Sequence, residues 1–258
     1  MSEKLDMSEN MRKGIYILPN LFTTGSLFAG FYSMVSTMNG EYRLAAIWIL
    51  AASIFDGLDG KVARATGTTS KFGVEYDSLA DLVAFGVAPG LLMYSWALRP
   101  FGRLGWLAAF LFVVCGALRL ARFNVQVATV ESKRFVGLPI PAAASIVSAT
   151  VLLFYNFGWP SSYKKLAILA LIYSLAFLMV SGFRYYSFKD PELIKRQPFA
   201  SLVLIILLLV IVAAEPVVML FSLFMIYLFS GPVSFLLTYP RRRRLEKALH
   251  KSVEKPHS

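Results

Sequence analysis

The run DGLDGKVARATGTTSKFGVEYDSLAD, residues 56–81, places Asp56, Asp59, Asp77 and Asp81 in one short window between long apolar stretches. Four of the chain's six aspartates stand there. Asp56 and Asp59 are i, i+3 and Asp77 and Asp81 are i, i+4, so each pair lines one face of a helix. The linker from Gly60 to Phe72 is short enough to fold the two helices antiparallel, which brings both pairs to the same depth. Acids at membrane depth are costly and normally face a bundle interior or a wet cavity, where they serve a function. Solvated surface charge does not account for this placement.

The rest of the chain supports a membrane setting. Of 258 residues, 57% are apolar, and the mean hydropathy is +0.62. An ordinary soluble domain holds about 45–50%. A spanning helix needs about 20 apolar residues. Stretches of that order occur near 15–37, 43–65, 74–97, 104–125, 138–157, 164–185, 198–214 and 216–238, with Glu215 and Pro216 as a tight turn between the last two. An all-α integral membrane protein of about eight spanning helices is the expected fold. Residues 1–13 have no signal-peptide pattern and read as a retained polar tail. With that tail cytoplasmic, only Arg43, Arg99, Arg103, Lys164 and Lys165 of the 26 Lys and Arg residues lie outside. The positive-inside rule therefore sets both termini and the acidic site on the cytoplasmic side of a multi-pass protein in the cell membrane.

Composition also excludes chemistry. His250 and His257 lie in the polar C-terminal tail, and Cys115, the one cysteine, sits in an apolar run. Zinc sites, a Ser/His/Asp triad and a disulfide framework are disfavoured. No Gly-rich nucleotide cradle occurs. The formal charge of +11 is carried by a chain too apolar to offer a soluble basic face, so anionic membrane lipids, not nucleic acid, are the expected partner. The run Arg241–Arg244 follows the last span directly and reads first as a topology anchor.

Two carboxylates about 5 Å apart repel by roughly 3 kcal/mol at an effective dielectric near 20, so four converging acids require a cation. Lys61 and Arg64 cannot pair four acids. Oxygen donors without His or Cys select a hard divalent ion, Mg²⁺ or Mn²⁺, and the number of carboxylates suffices for two ions. Gly57, Gly60 and Gly73 beside the acids let a ligand or a neighbouring helix approach the backbone.

These residues carry a resemblance. The pattern Asp56-x2-Asp59-Gly60-x2-Ala63-Arg64-x8-Gly73-x3-Asp77-x3-Asp81 resembles, at each fixed position, the signature of the CDP-alcohol phosphatidyltransferases. The resemblance covers about residues 14–185. It implies metal binding by Asp56, Asp59 and Asp77, with Asp81 completing the metal site and acting as general base. It also implies CDP held by Gly60, Arg64 and Gly73, six core helices around a cytoplasm-facing cavity, and a homodimer. The corresponding division is a tail at 1–13, a catalytic core at 14–185, a helical hairpin at 186–239 and a basic tail at 240–258. Three further stretches, Pro19-Asn20-Leu21-Phe22-Thr23, Arg119-Leu-Ala-Arg122-Phe123-Asn124 and Gly137-Leu-Pro-Ile-Pro141, look like those of family members whose acceptor is L-serine. The implied reaction is CDP-diacylglycerol plus L-serine giving phosphatidylserine plus CMP.

Physical reading adds candidates and leaves alternatives open. Asn20 and Thr23 share a face of the first helix near the cytoplasm, where they contact either the nucleotide or a neighbouring helix. Arg119 and Arg122, with Asn124 nearby, are candidates for the acceptor carboxylate or the lipid phosphate, or serve as positive-inside anchors. Charge counting with Lys133 or Arg134 keeps glycerol 3-phosphate or an inositol phosphate open as acceptor. A cation transporter is the alternative from another class, and it fits poorly with Arg64 beside the acids.

Overall fold

The computed structural model describes residues 2–67, 70–127, 135–158, 161–185 and 214–253. Among them the chain forms α1 (Ser2–Met38), α2 (Tyr42–Thr66), α3 (Lys71–Phe101), α4 (Arg103–Val127), α5 (Ile140–Phe157), α6 (Ser161–Val180) and α7 (Pro216–Val253). The architecture is all-helical apart from one short pairing, β1 (Phe135–Val136) antiparallel to β2 (Arg184–Tyr185). Seven helices are therefore seen where eight were expected; the stretch at 198–214 lies, but for its last residue, outside the described residues.

Lys71–Phe101, Arg103–Val125, Ile140–Phe157 and Pro216–Phe235 are each long and apolar enough to cross a membrane, and Leu166–Val180 is apolar but shorter. The chain is a multi-pass membrane protein on that ground. α1 and α2 are more polar for a reason visible in their packing. α1 buries Thr23, Ser26, Ser33, Ser36 and Thr37. Ser26 Oγ donates to the Ala52 carbonyl of α2 at 3.2 Å, and Thr37 Oγ1 to its own helix at Ser33. Small hydroxyl residues let helices approach closely and bond across the contact where lipid supplies no hydrophobic drive.

Helix ends reflect local chemistry. α2 runs on to Thr66 and stops at Gly67, whose φ of +64° is the left-handed conformation that favours glycine, with its N–H donating to the Ala63 carbonyl. α3 starts one turn earlier than expected because Ser70 caps it, its Oγ accepting from Gly73 N at 3.0 Å. The link between the two acid-bearing helices is thus only a few residues long. α3 contains two π-helical turns, Leu82–Val87 and Tyr94–Leu98. α5 begins at Ile140 behind Pro139, with Pro141 in its first turn. The sixth expected span, 164–185, is shorter than read: α6 ends at Val180, and Arg184–Tyr185 instead pairs with Phe135–Val136. Gly137 N donates to the Phe183 carbonyl at 2.8 Å and Leu138 N to Leu178 at 3.0 Å, tying the end of α6 to the start of α5.

The core lies between α2, α3, α4, α5 and α6, where Ile49, Phe85, Leu92 and Met93 share one buried cluster with Phe112, Ile146 and Ile172. α7 is the peripheral helix, with 11% of its spanning window buried.

Candidate active site

Three elements build the site. α2 carries Asp56 and Asp59 on one face of its last turns, α3 carries Asp77 and Asp81 in its first three turns, and α1 covers them with Thr23. One carboxylate oxygen from each of Asp56, Asp59 and Asp77 lies within 4.8 Å of the others. Asp59 is 6% exposed, and its Oδ2 accepts from Thr23 Oγ1 at 2.9 Å, which fixes the carboxylate's direction. Asp81 is outside this set of three. It is buried one turn further along α3, its carboxyl in hydrogen-bonding reach of Asp56. The donor chemistry fits a divalent cation: three clustered oxygens, no nitrogen or sulfur, and mutual repulsion that only positive charge relieves.

A cleft opens beside the acids. Asn20, Thr23, Gly60, Arg64 and Gly73, the five residues read from the sequence as nucleotide contacts, all line it together with Asp59 and Asp77. Arg64 drapes over Gly60, so that a Cβ at position 60 would stand 3.4 Å from its Nη1. At Gly73 a Cβ would meet Ser70 Oγ at 3.2 Å and Asn20 Oδ1 at 3.4 Å. Bare backbone at these two positions keeps the cleft floor open. Ser70, which sequence reading passed over, lines the cleft as well as capping α3. A Ser directly before a helical stretch is a legible N-cap signal.

The second group of candidates divides. Arg119 on α4 is 8% exposed and lies in electrostatic reach of Asp81 and Asp56, with its guanidinium carbon 5.6 Å from the centroid of the Phe123 ring. Its Nε is buried with no hydrogen-bond partner among the described residues. Arg122, one turn on, is exposed. Asn124 Nδ2 donates to Ser78 Oγ at 2.9 Å and so ties α4 to α3. Lys133 and Arg134 lie outside the described residues. Cys115 is buried in the hydrophobic core.

A family model described as CDP-alcohol phosphatidyltransferase matches residues 16–181, well over half of the chain. The chain belongs to the CDP-alcohol phosphatidyltransferase family. This family member is 46% identical over 175 residues to a CDP-diacylglycerol–serine O-phosphatidyltransferase of Helicobacter pylori, covering 68% of this chain and 74% of the relative. It is 38% identical over 181 residues to an archaetidylserine synthase of Methanothermobacter thermautotrophicus, covering 69% and 73%. A CDP-diacylglycerol–serine O-phosphatidyltransferase of Mycobacterium leprae is 41% identical over 157 residues, covering 58% and 52%. The matched range contains the clustered acids, the cleft and Arg119, and it ends before α7.

Proposed function

We propose that this phosphatidyltransferase transfers the phosphatidyl group of CDP-diacylglycerol to the hydroxyl of L-serine and releases CMP. The observation that carries the reading is the single cleft in which Gly60, Arg64 and Gly73 stand beside Asp59 and Asp77, in a chain whose curated relatives bear serine-transferase names. In this reading Gly60, Gly73, Asn20 and Arg64 hold the cytidine diphosphate. Asp56, Asp59 and Asp77 would hold the divalent metal, Mg²⁺ or Mn²⁺ and two ions in number, with Asp81 at its edge. When bound, the metal supplies positive charge against the diphosphate oxygens.

The chain's own groups account for the remaining chemistry. A serine hydroxyl is a weak nucleophile at neutral pH and needs a base within hydrogen-bond reach. Asp81 takes the hydroxyl proton as the serine oxygen bonds to the phosphatidyl phosphorus, and the bond from that phosphorus to the CMP phosphate breaks. Thr23 holds Asp59 in one orientation throughout. Arg119, buried in electrostatic reach of Asp81 with its Nε unpartnered among the described residues, suits the serine carboxylate. A phosphorylated acceptor would call for several converging cations. Among the described residues Arg119 is the buried one near the acids, and Arg122 is exposed, which favours serine.

The same reading has the site open to the cytoplasm, both termini cytoplasmic, a homodimer in the cell membrane, and the basic tail against anionic lipid. The divisions at 1–13, 14–185, 186–239 and 240–258 are retained with it. Purified protein given CDP-diacylglycerol and labelled serine should yield labelled phosphatidylserine on thin-layer separation. A parallel tube with labelled glycerol 3-phosphate should yield none, and label appearing there instead would overturn the acceptor.

A further inference from the structure

Ser78 stands between the two acids of α3, directly after Asp77 and within one turn of Asp81. Its hydroxyl is used in both directions. Oγ donates to the Val74 carbonyl at 3.0 Å and accepts from Asn124 Nδ2 of α4 at 2.9 Å. With the hydroxyl proton committed to its own helix, Ser78 offers a neighbour only acceptor capacity, so the Asn124 amide must present its nitrogen. The bond between the helices therefore has a definite sense.

Asn124 lies in the last described turn of α4, close to the end at Val127, and helix ends fray where nothing outside the helix holds them. The same stretch carries Arg119, which is 8% exposed, and Phe123, whose ring centroid is 5.6 Å from the guanidinium carbon. Further along α3, α4 packs on the turn Leu82–Val87 that directly follows Asp81. α4 is thus joined to α3 on both sides of Asp81, by packing beyond it and by the Asn124–Ser78 bond before it. Two carbons separate the hydroxyl of serine from its carboxylate carbon, so the groups that bind the two must stand at a fixed short spacing. Too close, Arg119 and Asp81 form an ion pair in which the carboxylate loses basicity. Too far, one end of the acceptor goes unbound.

We propose that Asn124 is a positioning residue which, through Ser78, sets the spacing between Asp81 and Arg119 and so fits the site to an acceptor of serine's length. The inference rests on the assignment of Asp81 to the serine hydroxyl and of Arg119 to its carboxylate. Asn124 then acts through α3 and not by touching the acceptor.

The test is steady-state kinetics on the full chain in lipid–detergent micelles, with CMP release as the readout. Asn124→Leu removes the bond from the α4 side and Ser78→Ala removes it from the α3 side. Each should raise serine KM about three- to tenfold, the range for loss of one polar contact. CDP-diacylglycerol KM and bound metal per chain should stay as in the parent. The double variant should go no further than either single change, because residues acting as a unit are not additive. Ser78→Thr keeps the hydroxyl and should keep the parent's serine KM. A rise with Asn124→Leu while Ser78→Ala is silent would mean that Asn124 touches the acceptor itself, and it would overturn the proposal. A lowered thermal midpoint with both KM values unchanged, an equal rise in both KM values, or effects that multiply in the double variant would overturn it too. The parent chain separates the two levels: no serine-dependent CMP release from it refutes the serine reading, whereas release with an indifferent Asn124→Leu refutes the role of Asn124 alone.

Discussion

Asp81 differs from the other three acids in a way that bears on its chemistry. Asp56, Asp59 and Asp77 bring oxygens to a common point, and Asp81 stands beside them, in electrostatic reach of Arg119. In the proposed reaction this carboxylate, outside the converging set, is the one that takes the proton. Asp81→Asn preserves shape but cannot accept the serine proton, so kcat should fall by about 10² to 10⁴ while CDP-diacylglycerol still binds. Retention of more than about a tenth of kcat, measured by CMP release, would move the base elsewhere. Asp59→Asn should behave differently. It removes a charge from the converging set, so bound metal per chain should drop along with rate, and an unchanged metal content would deny it a ligand role. The two arginines should separate as well. Arg119→Ala is expected to raise serine KM strongly, and Arg122→Ala, at an exposed position, to leave it within about twofold, as surface substitutions usually do. Equal effects would show that burial is the wrong discriminator.

At the scale of elements, the site depends on how closely α1 and α3 approach. A Cβ built on Gly30 would fall 2.5 Å from Ala84 Cα and 2.8 Å from Ala84 Cβ, inside the π-helical turn that directly succeeds Asp81. Such a turn widens the helix locally and offsets the two helical halves it joins. Here the offset falls between the acid-bearing start of α3 and its core-packing half. Gly30→Val must push the helices apart, and overpacking of this kind costs about 1–3 kcal/mol. The thermal midpoint should drop and activity with it. A midpoint equal to the parent's would mean that the close approach is dispensable. The start of α3 is fixed separately by Ser70, whose capping bond to Gly73 N also shapes the cleft floor.

For the whole molecule, the expected consequence of clustered acids is absolute dependence on a divalent cation. Exhaustive chelation should abolish turnover and readdition of Mg²⁺ or Mn²⁺ should restore it; full activity after chelation would leave the acids unexplained. The helical membrane fold, the nearness of the four aspartates and the family signature were all legible in the sequence, because they depend on local quantities. Apolar run length reports a spanning helix, and i, i+3 and i, i+4 spacings report a shared face whatever the partners are. Asn20, Thr23, Gly60, Arg64 and Gly73 line one cleft. Other features depend on which faces meet, and no local pattern encodes that. Arg119 and Arg122 look alike in sequence, and only the packing of α4 buries one and exposes the other. The bond from Thr23 Oγ1 to Asp59 at 2.9 Å depends likewise on how α1 packs against α2. Asp81 shares its motif with three other acids, and the tertiary arrangement alone sets it apart from their common point.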